Sequence, residues 1–321
     1  MKKAALLAAL LVLRAAAEDA PEYRPRTRIS GTLRAWGSAQ MEDLLKLWET
    51  GFQRFHPAAR FENHTYGAVS ALGGLYAGGA DFALNREIWP NEAMAFEQAV
   101  GHAPLIYEVA TGSFDVPTKS DALGVFVSAS NPLSQLSLAQ LAAIFTSGSA
   151  RTWGDLGLTG DWAPRPVHAY AYLYDNAGLR LFRDLVAGGS PRWNWDVKEF
   201  DNLTLTSGGR LDAGQRILDA LAADPAGIAI SNPHYASAEV KALAIGRSAA
   251  GPFVPLTRET VAARTYPLTR GVFFFAVKLD DRLTEFLRYI LSREGSRDVV
   301  REGCYSPLPV ALLRDQLARL R

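Results

Sequence analysis

The spacing of apolar residues in the first part of the chain predicts alternating strands and helices. Short strand-like runs occupy 32–38, 59–67 and 81–84. Apolar residues at helical spacing lie between them, at 41–55 and in a shorter, glycine-weakened segment at 70–79. This order predicts a parallel sheet with helices on both faces.

The same alternation continues to the end of the chain, which places the protein in the α/β class. Further strands are predicted at 123–129, 165–173, 227–232, 240–245 and 270–278, and further helices at 136–145, 176–188, 211–227, within 281–303 and after Pro309. Ligands of open α/β sheets bind at the carboxyl ends of strands. The turns to consider are therefore 36–40, 65–71, 84–87, 172–178 and 231–235.

The N-terminus has the pattern of a secretory signal peptide at residues 1–17. Lys2 and Lys3 precede an apolar stretch that is too short to span a bilayer, and small residues at 15–17 fit a cleavage site. We therefore expect an exported, periplasmic protein. Residues 18–28 are rich in charge and proline, and we expect them to form a loose leader.

Charge and residue usage exclude several classes of function. The formal charge is +1, and removing Lys2, Lys3 and Arg14 with the signal peptide lowers it by three to −2, so neither form predicts a nucleic-acid partner. The five histidines are widely spaced and predict no metal site. The chain contains neither a glycine-rich nucleotide fingerprint nor a hydrolase nucleophile elbow, so we expect no cofactor and no catalysis. A triad assembled from distant parts of the chain remains an open alternative.

Six stretches in register along the chain resemble one family. The most specific, SNPLSQLSLAQLAAIFTSGSARTWGDLG at 130–157, has a helix ending in Ile-Phe followed by a loop that contains tryptophan. The others are WGSAQ, ADFALNRE, DPAGIAISNPHY, TYPLTRGVFFFAV and FLRYILSREGSRDVVREGCYSPLP. On these stretches the chain resembles the periplasmic phosphate-binding proteins of ABC importers, which are PstS-like members of the type II periplasmic binding protein class.

The resemblance implies a two-lobe α/β fold, in which each lobe is a mixed or parallel sheet flanked by helices. Lobe 1 would comprise 28–119 plus 267–321 and lobe 2 would comprise 120–266, with two chain crossings and a ligand in the cleft between lobes. It also implies hinge closure on a small anion, phosphate or another oxyanion, without catalysis. The implied partners are the membrane subunits of an ABC transporter, and the implied state is a monomer.

The ligand loops depart from the family's serine-, threonine- and glycine-rich pattern. Gln40 stands where a threonine is expected, and Asn85 replaces the serine before Arg86. At 172–178 the usual arginine and the Ser-Gly-Thr are absent, and Tyr172 is followed by Asp175 and Asn-Ala-Gly. A charge-assisted hydrogen bond contributes about 1.5–3 kcal/mol, so these changes alone could weaken anion binding by several kcal/mol.

Two hypotheses therefore remain for the ligand loops. In one, they still bind an anion through the matching positions Ser38, Gln40, Ser70, Asn85, Arg86, Tyr172, Asn176, Gly178 and Arg270. In the other, the loop at 172–178 caps its own helix and the two arginines pair with carboxylates such as Glu87. The chain would then be a divergent member without phosphate binding that acts as a sensor or through protein contact. Trp36, Tyr66, Tyr172 and Tyr174 would suit a ligand with apolar or π surface, or would belong to core or hinge packing.

Overall fold

Strands and helices alternate along the chain as the apolar pattern predicts. The structure, a computed structural model, describes residues 17–119, 121–188, 190 and 192–320. In chain order the strands are β1 (Ser30–Gly37), β2 (Ala58–His64), β3 (Phe82–Asn85), β4 (Leu105–Thr111), β5 (Gly124–Ser128), β6 (Gln135–Ser137), β7 (His168–Tyr172), β8 (Lys198–Phe200), β9 (Leu203–Thr204), β10 (Arg210–Leu211), β11 (Gly227–Ser231), β12 (Val240–Ala242), β13 (Ala244–Gly246), β14 (Phe253–Val254) and β15 (Gly271–Ala276).

The α-helices occupy the segments between these strands and the C-terminal tail. They are α1 (Glu42–Gln53), α2 (Ser70–Tyr76), α3 (Pro90–Val100), α4 (Leu138–Phe145), α5 (Ala177–Ala187), α6 (Ala213–Ala222), α7 (Arg258–Ala262), α8 (Asp281–Ile290), α9 (Arg293–Glu302) and α10 (Val310–Ala318). The predicted signal peptide lies outside the described residues except for its last position, Ala17. No helix within the described ranges is long and apolar enough to span a bilayer.

The chain divides into two units, and it passes from one to the other twice. Unit 1 comprises the residues up to Gly112 together with Gly271–Arg321, and unit 2 comprises Ser113–Arg270. Residues 113–119 and 267–270, which the sequence assigns to lobe 1, therefore lie in unit 2.

Unit 1 is built on a mixed five-stranded sheet with the order β2-β1-β3-β15-β4. Strand β1 pairs parallel with β2 and β3, whereas β15 runs antiparallel between β3 and β4. Apolar side chains at helical spacing bury one face of α1, and Trp48 and Phe52 are completely buried. In the same core the rings of Phe82 and Phe274 stack with centroids 4.8 Å apart.

Unit 2 has its own sheet and its own core. The sheet has the order β12-β5-β11-β7-β8, in which β7, β8 and β11 are parallel and β5 is antiparallel to both of its neighbours. The largest fully buried side chains of this core include Trp153, Phe145 and Phe182. Two smaller sheets, β14-β13-β6 and β10-β9, also belong to the unit.

The leader at 18–28 is packed against unit 1, so the expectation that it is loose is wrong. Tyr23 is buried, and its hydroxyl donates a hydrogen bond of 2.9 Å to Glu285 and lies 2.6 Å from Nε2 of His56. The amide of Arg293 donates to the carbonyl of Pro21 over 2.8 Å. One buried aromatic side chain and several hydrogen bonds thus anchor a segment whose composition predicts a loose leader.

Candidate functional site

The turns that the sequence singles out lie at the carboxyl edge of each sheet. In unit 1 the parallel strands β1, β2 and β3 end at Gly37, His64 and Asn85, so the turns that follow them share one edge. In unit 2 the parallel strands β7 and β11 end at Tyr172 and Ser231. Such edges are where open α/β sheets bind ligands.

The first turn of unit 1 contains Ser38 and Gln40 and is tightly held. Gly37 has a φ of +149°, and a Cβ there would come within 2.1 Å of the carbonyl oxygen of Leu84. Ser38 is buried, and its Oγ accepts a 3.3 Å hydrogen bond from the amide of Gln40. The carbonyl of Gln40 accepts from the Tyr305 hydroxyl over 2.9 Å. The backbone of this turn is therefore fixed, while the Ser38 hydroxyl keeps a proton to donate.

The second and third turns bond to each other. The Ser70 hydroxyl donates to the carbonyl of Gly67 over 2.7 Å. Nδ2 of Asn85 donates to the carbonyl of Ala68 over 3.0 Å, and its Oδ1 accepts from the amide of Arg86 over 2.8 Å. Asn85 is buried and Arg86 is partly buried beside it. The structure thus brings Ser38, Ser70, Asn85 and Arg86 to one edge, where Ser70 bonds within its own turn and Asn85 joins the third turn to the second.

An aromatic cluster lies at the same edge of unit 1. The Tyr66 ring stacks on His64 with centroids 5.3 Å apart and meets Trp36 edge to face at 5.2 Å. Tyr66 remains 67% exposed, so it is a surface residue and not part of the core. His64 also lies 2.9 Å from Glu62, which orients its ring. The cluster presents a π face beside the turns.

The loop at 172–178 in unit 2 caps its own helix. Oδ1 of Asn176 accepts hydrogen bonds from the amides of Gly178 (2.8 Å) and Leu179 (3.4 Å), the first amides of α5. Asn176 is therefore the N-cap of α5. Asparagine is among the strongest N-cap residues because its oxygen reaches amides that lack a partner within the helix. The Gly178 amide is therefore engaged within the loop.

Tyr172 is a buried part of the unit 2 edge. Its hydroxyl accepts a 3.0 Å hydrogen bond from the amide of Asn232. Nδ2 of Asn232 in turn donates to the carbonyls of Val116 (2.8 Å) and Lys119 (3.2 Å). Asn232 lies in a turn that the sequence singles out, but its role as a brace between segments depends on contacts that the sequence does not reveal.

Arg270 forms a buried ion pair with Asp121. Its Nε donates to Oδ1 of Asp121 over 3.0 Å, and the two side chains are 5% and 0% exposed. Oδ2 of the same carboxylate accepts from the amide (3.0 Å) and the hydroxyl (2.9 Å) of Ser113, and Nη1 of Arg270 donates to the carbonyl of Ala177 over 3.1 Å. Arg270 is thus paired with a carboxylate, and the partner is Asp121 where the sequence suggests Glu87.

The chemistry of these turns suits hydrogen bonding to a small ligand. They present hydroxyl and amide groups and one or more guanidinium groups, which are donors for oxyanions. Across the described ranges, no group of three or more His, Cys, Asp or Glu side chains could hold a metal ion. Near the unit 2 edge, burial raises the pKa of the Tyr235 hydroxyl, and the nearby carboxylate of Asp212 acts in the same direction, so this phenol stays protonated.

Comparisons with known proteins agree on one family. The family model PBP-like 2, a PBP superfamily domain, matches residues 24–294. Phosphate-binding protein PstS from two strains of Pseudomonas aeruginosa is 30% identical to this chain over 314 residues, which covers 94% of this chain and 90% of the relative.

Solved structures show the same fold at low sequence identity. PstS from Borrelia burgdorferi aligns with a TM-score of 0.61 and 14% identity, covering 87% of this chain and 99% of that one. An ABC-type phosphate transport receptor from Vibrio cholerae aligns with a TM-score of 0.56 and 16% identity over 85% and 99% of the two chains. The α/β architecture inferred from the sequence is therefore confirmed, and the chain belongs to the PBP superfamily and, within it, to the PstS-like family.

Proposed function

We propose that the protein is the extracytoplasmic solute-binding component of a phosphate-type ABC transporter. The observation that carries the proposal is the 30% identity to the Pseudomonas aeruginosa phosphate-binding protein over 94% of the chain. The ligand is phosphate or another small oxyanion, bound without catalysis and delivered to the transporter's membrane subunits. Export through the signal peptide at 1–17 takes the protein to the periplasm, where such components work.

The donors at the unit 1 edge support an oxyanion ligand. Arg86 supplies a guanidinium that is partly withdrawn from solvent, and Ser38 and Gln40 add a hydroxyl and an amide at the first turn. Guanidinium–phosphate pairs are strong because two parallel N–H groups match two oxygens. In unit 2 the same role falls less naturally to Arg270, because Asp121 already neutralises its charge. Arg86 is the guanidinium at the unit 1 edge, and we expect it to contribute to binding.

Calorimetric titration with inorganic phosphate tests the proposal. The protein is first freed of bound anion by unfolding and refolding. We expect saturable binding below millimolar concentration, and we expect Arg86→Ala to weaken it by about 10- to 100-fold through loss of one charge-assisted interaction. Arg151→Ala is the matched control, because Arg151 is exposed in unit 2 and its side chain has no ion pair among the described residues. Equal affinities in the two variants, or no heat in the unmodified protein, contradict the proposal.

A second candidate function is a family member that binds no phosphate and acts as a sensor or protein-interaction component. The observation that favours it is the internal use of the predicted donors in unit 2. Asn176 caps α5 and engages the Gly178 amide, and Arg270 is paired with Asp121. Absence of phosphate binding together with cooperative unfolding of the intact protein would support this candidate.

A further inference from the structure

Unit 1 contains a cavity that is separate from the carboxyl-edge turns. The leader forms one wall, and the ends of α8 and α10 form the others. Its volume is about 370 Å³, which is within the ~300–1,000 Å³ range of small-molecule sites. None of the residues proposed above for the oxyanion lines it. We call it the arginine cavity, because four arginines line it: Arg24, Arg26, Arg288 and Arg314.

The charge of the arginine cavity is unbalanced. Arg24 pairs with Glu22, the one carboxylate among the lining residues, over 3.0 Å. Nε of Arg288 lies 3.6 Å from Glu285, which is part of the Tyr23 network. Arg26 and Arg314 have no carboxylate within 4.0 Å in the described part of the chain. Bringing guanidinium groups together without counter-charges is unfavourable unless an anion joins them.

The remaining lining of the cavity is mostly apolar. Pro21 and Ala318 are exposed and Leu317 is partly buried, whereas Leu291 and Leu320, which also line the cavity, are buried. An inorganic ion would leave this surface in contact with water. A ligand with a hydrocarbon portion would cover Pro21, Leu317 and Ala318 while its head group meets the guanidinium groups.

The wall formed by the leader is firmly placed. The amide of Tyr23 donates to Glu294 over 2.7 Å, and the amide of Arg26 donates to Glu285 over 3.1 Å. These bonds fix the backbone from which Arg24 and Arg26 project, so the arginine cavity is pre-formed. Pre-organisation lowers the entropic cost of binding.

We propose that the arginine cavity binds an amphipathic organic anion, with an oxyanion head group held by Arg26 and Arg314 and a short hydrocarbon chain on Pro21, Leu317 and Ala318. This site is distinct from the proposed phosphate site, and it would operate whether or not phosphate binds at the carboxyl-edge turns.

Titration of the purified product of the full chain with hexyl phosphate tests the proposal. We expect saturable binding, weakened at least tenfold in the Arg26→Ala/Arg314→Ala double variant. The control is Arg151→Ala/Arg247→Ala, which removes two exposed arginines of unit 2 that have no ion pair among the described residues and so changes the net charge equally. The side chains of Arg26 and Arg314 form no hydrogen bond or ion pair among the described residues. We therefore expect the Arg26→Ala/Arg314→Ala variant and its control to unfold at the temperature of the unmodified protein.

Three outcomes would overturn the proposal: absence of hexyl phosphate binding, equal affinity in the two double variants, and binding of 1-hexanol as tight as that of hexyl phosphate. Retention of hexyl phosphate binding by Arg86→Ala separates this site from the proposed phosphate site.

Vesicles distinguish the source of the anion. The anion is assigned to a lipid if the protein co-sediments with phosphatidylglycerol vesicles but not with phosphatidylcholine vesicles, and if the Arg26→Ala/Arg314→Ala variant loses this co-sedimentation. Hexyl phosphate binding without co-sedimentation assigns it to a soluble amphiphile.

Discussion

Replacing Arg270 by alanine should destabilise unit 2 strongly. The guanidinium and the Asp121 carboxylate are 5% and 0% exposed and 3.0 Å apart, so the variant leaves a carboxylate buried without its counter-charge. Breaking a buried pair from one side costs about 3–5 kcal/mol. A change of 1 kcal/mol shifts the melting temperature of a domain of this size by about 2–4 °C, so the expected decrease is about 6–20 °C.

Urea denaturation followed by far-ultraviolet circular dichroism measures this cost. The Arg270→Ala/Asp121→Ala double variant should lose less stability than Arg270→Ala, because removing both partners leaves no unpaired charge in the core. Arg151→Ala, at an exposed arginine of unit 2 that has no ion pair among the described residues, should change the free energy of unfolding much less. If Arg270→Ala lowers the free energy of unfolding by less than about 1 kcal/mol, the interpretation of the pair as structural is refuted. Arg270 would then again be a candidate ligand-binding residue.

Three further predictions concern unit 1. Burial raises the pKa of the Glu49 carboxyl to about 7, so its contribution to stability is full at low pH and is lost as pH rises through 7. Glu49→Gln should therefore stabilise the protein by up to about 3 kcal/mol at pH 8 and by little at pH 5, as measured by urea titration. An equal gain at both pH values would contradict this reasoning. Tyr23→Phe removes a buried hydroxyl that contacts His56 and Glu285, and it should lower the free energy of unfolding by about 1–3 kcal/mol. The control Tyr66→Phe, at a ring that is 67% exposed, should lower it by less than about 0.5 kcal/mol. Equal effects would show that the buried hydroxyl in the leader contributes nothing to stability. Gly37→Ala places a Cβ 2.1 Å from a backbone carbonyl oxygen and should lower the melting temperature far more than the control Gly31→Ala. Position 31 also has a positive φ, but the space around it is open. Equal melting temperatures in the two variants would argue against the close approach at Gly37.

The sequence reveals the elements whose pattern is local and strong. The apolar stripe of α1 and the apolar run of β15 are recognisable because each side chain's environment repeats with the period of its element. Helix α3 and strand β4 are missed; in the helix only Phe96 is buried, so its apolar residues form no continuous stripe. The sequence allows a mixed or a parallel sheet in unit 1, and the structure shows that it is mixed, since β15 returns from a distant part of the chain to run antiparallel.

The candidate site is harder to predict, because its chemistry depends on pairings between distant residues. The positions of strand ends in the sequence are enough to predict the turns at the carboxyl edges of the two sheets. The partner of Arg270 is Asp121, which is 149 positions away in a stretch without periodicity, and no local rule points to it. Self-capping of the loop at 172–178 is one of the two hypotheses that the sequence leaves open, and it names no capping residue, because Asp175 and Asn176 are both good capping residues and only the backbone decides between them.

The order of strands in unit 1 has a consequence for how the chain acquires its structure during synthesis and export. Strand β15 lies between β3 and β4, and it is followed by α8, α9 and α10, so unit 1 cannot close its sheet until nearly the whole chain is available. Unit 2 is one continuous segment and can complete its core earlier. Until β15 arrives, β3 and β4 each expose an unpaired edge, which is the kind of surface that aggregates. A chain truncated near residue 270 should therefore retain a folded unit 2 attached to an open, aggregation-prone remainder.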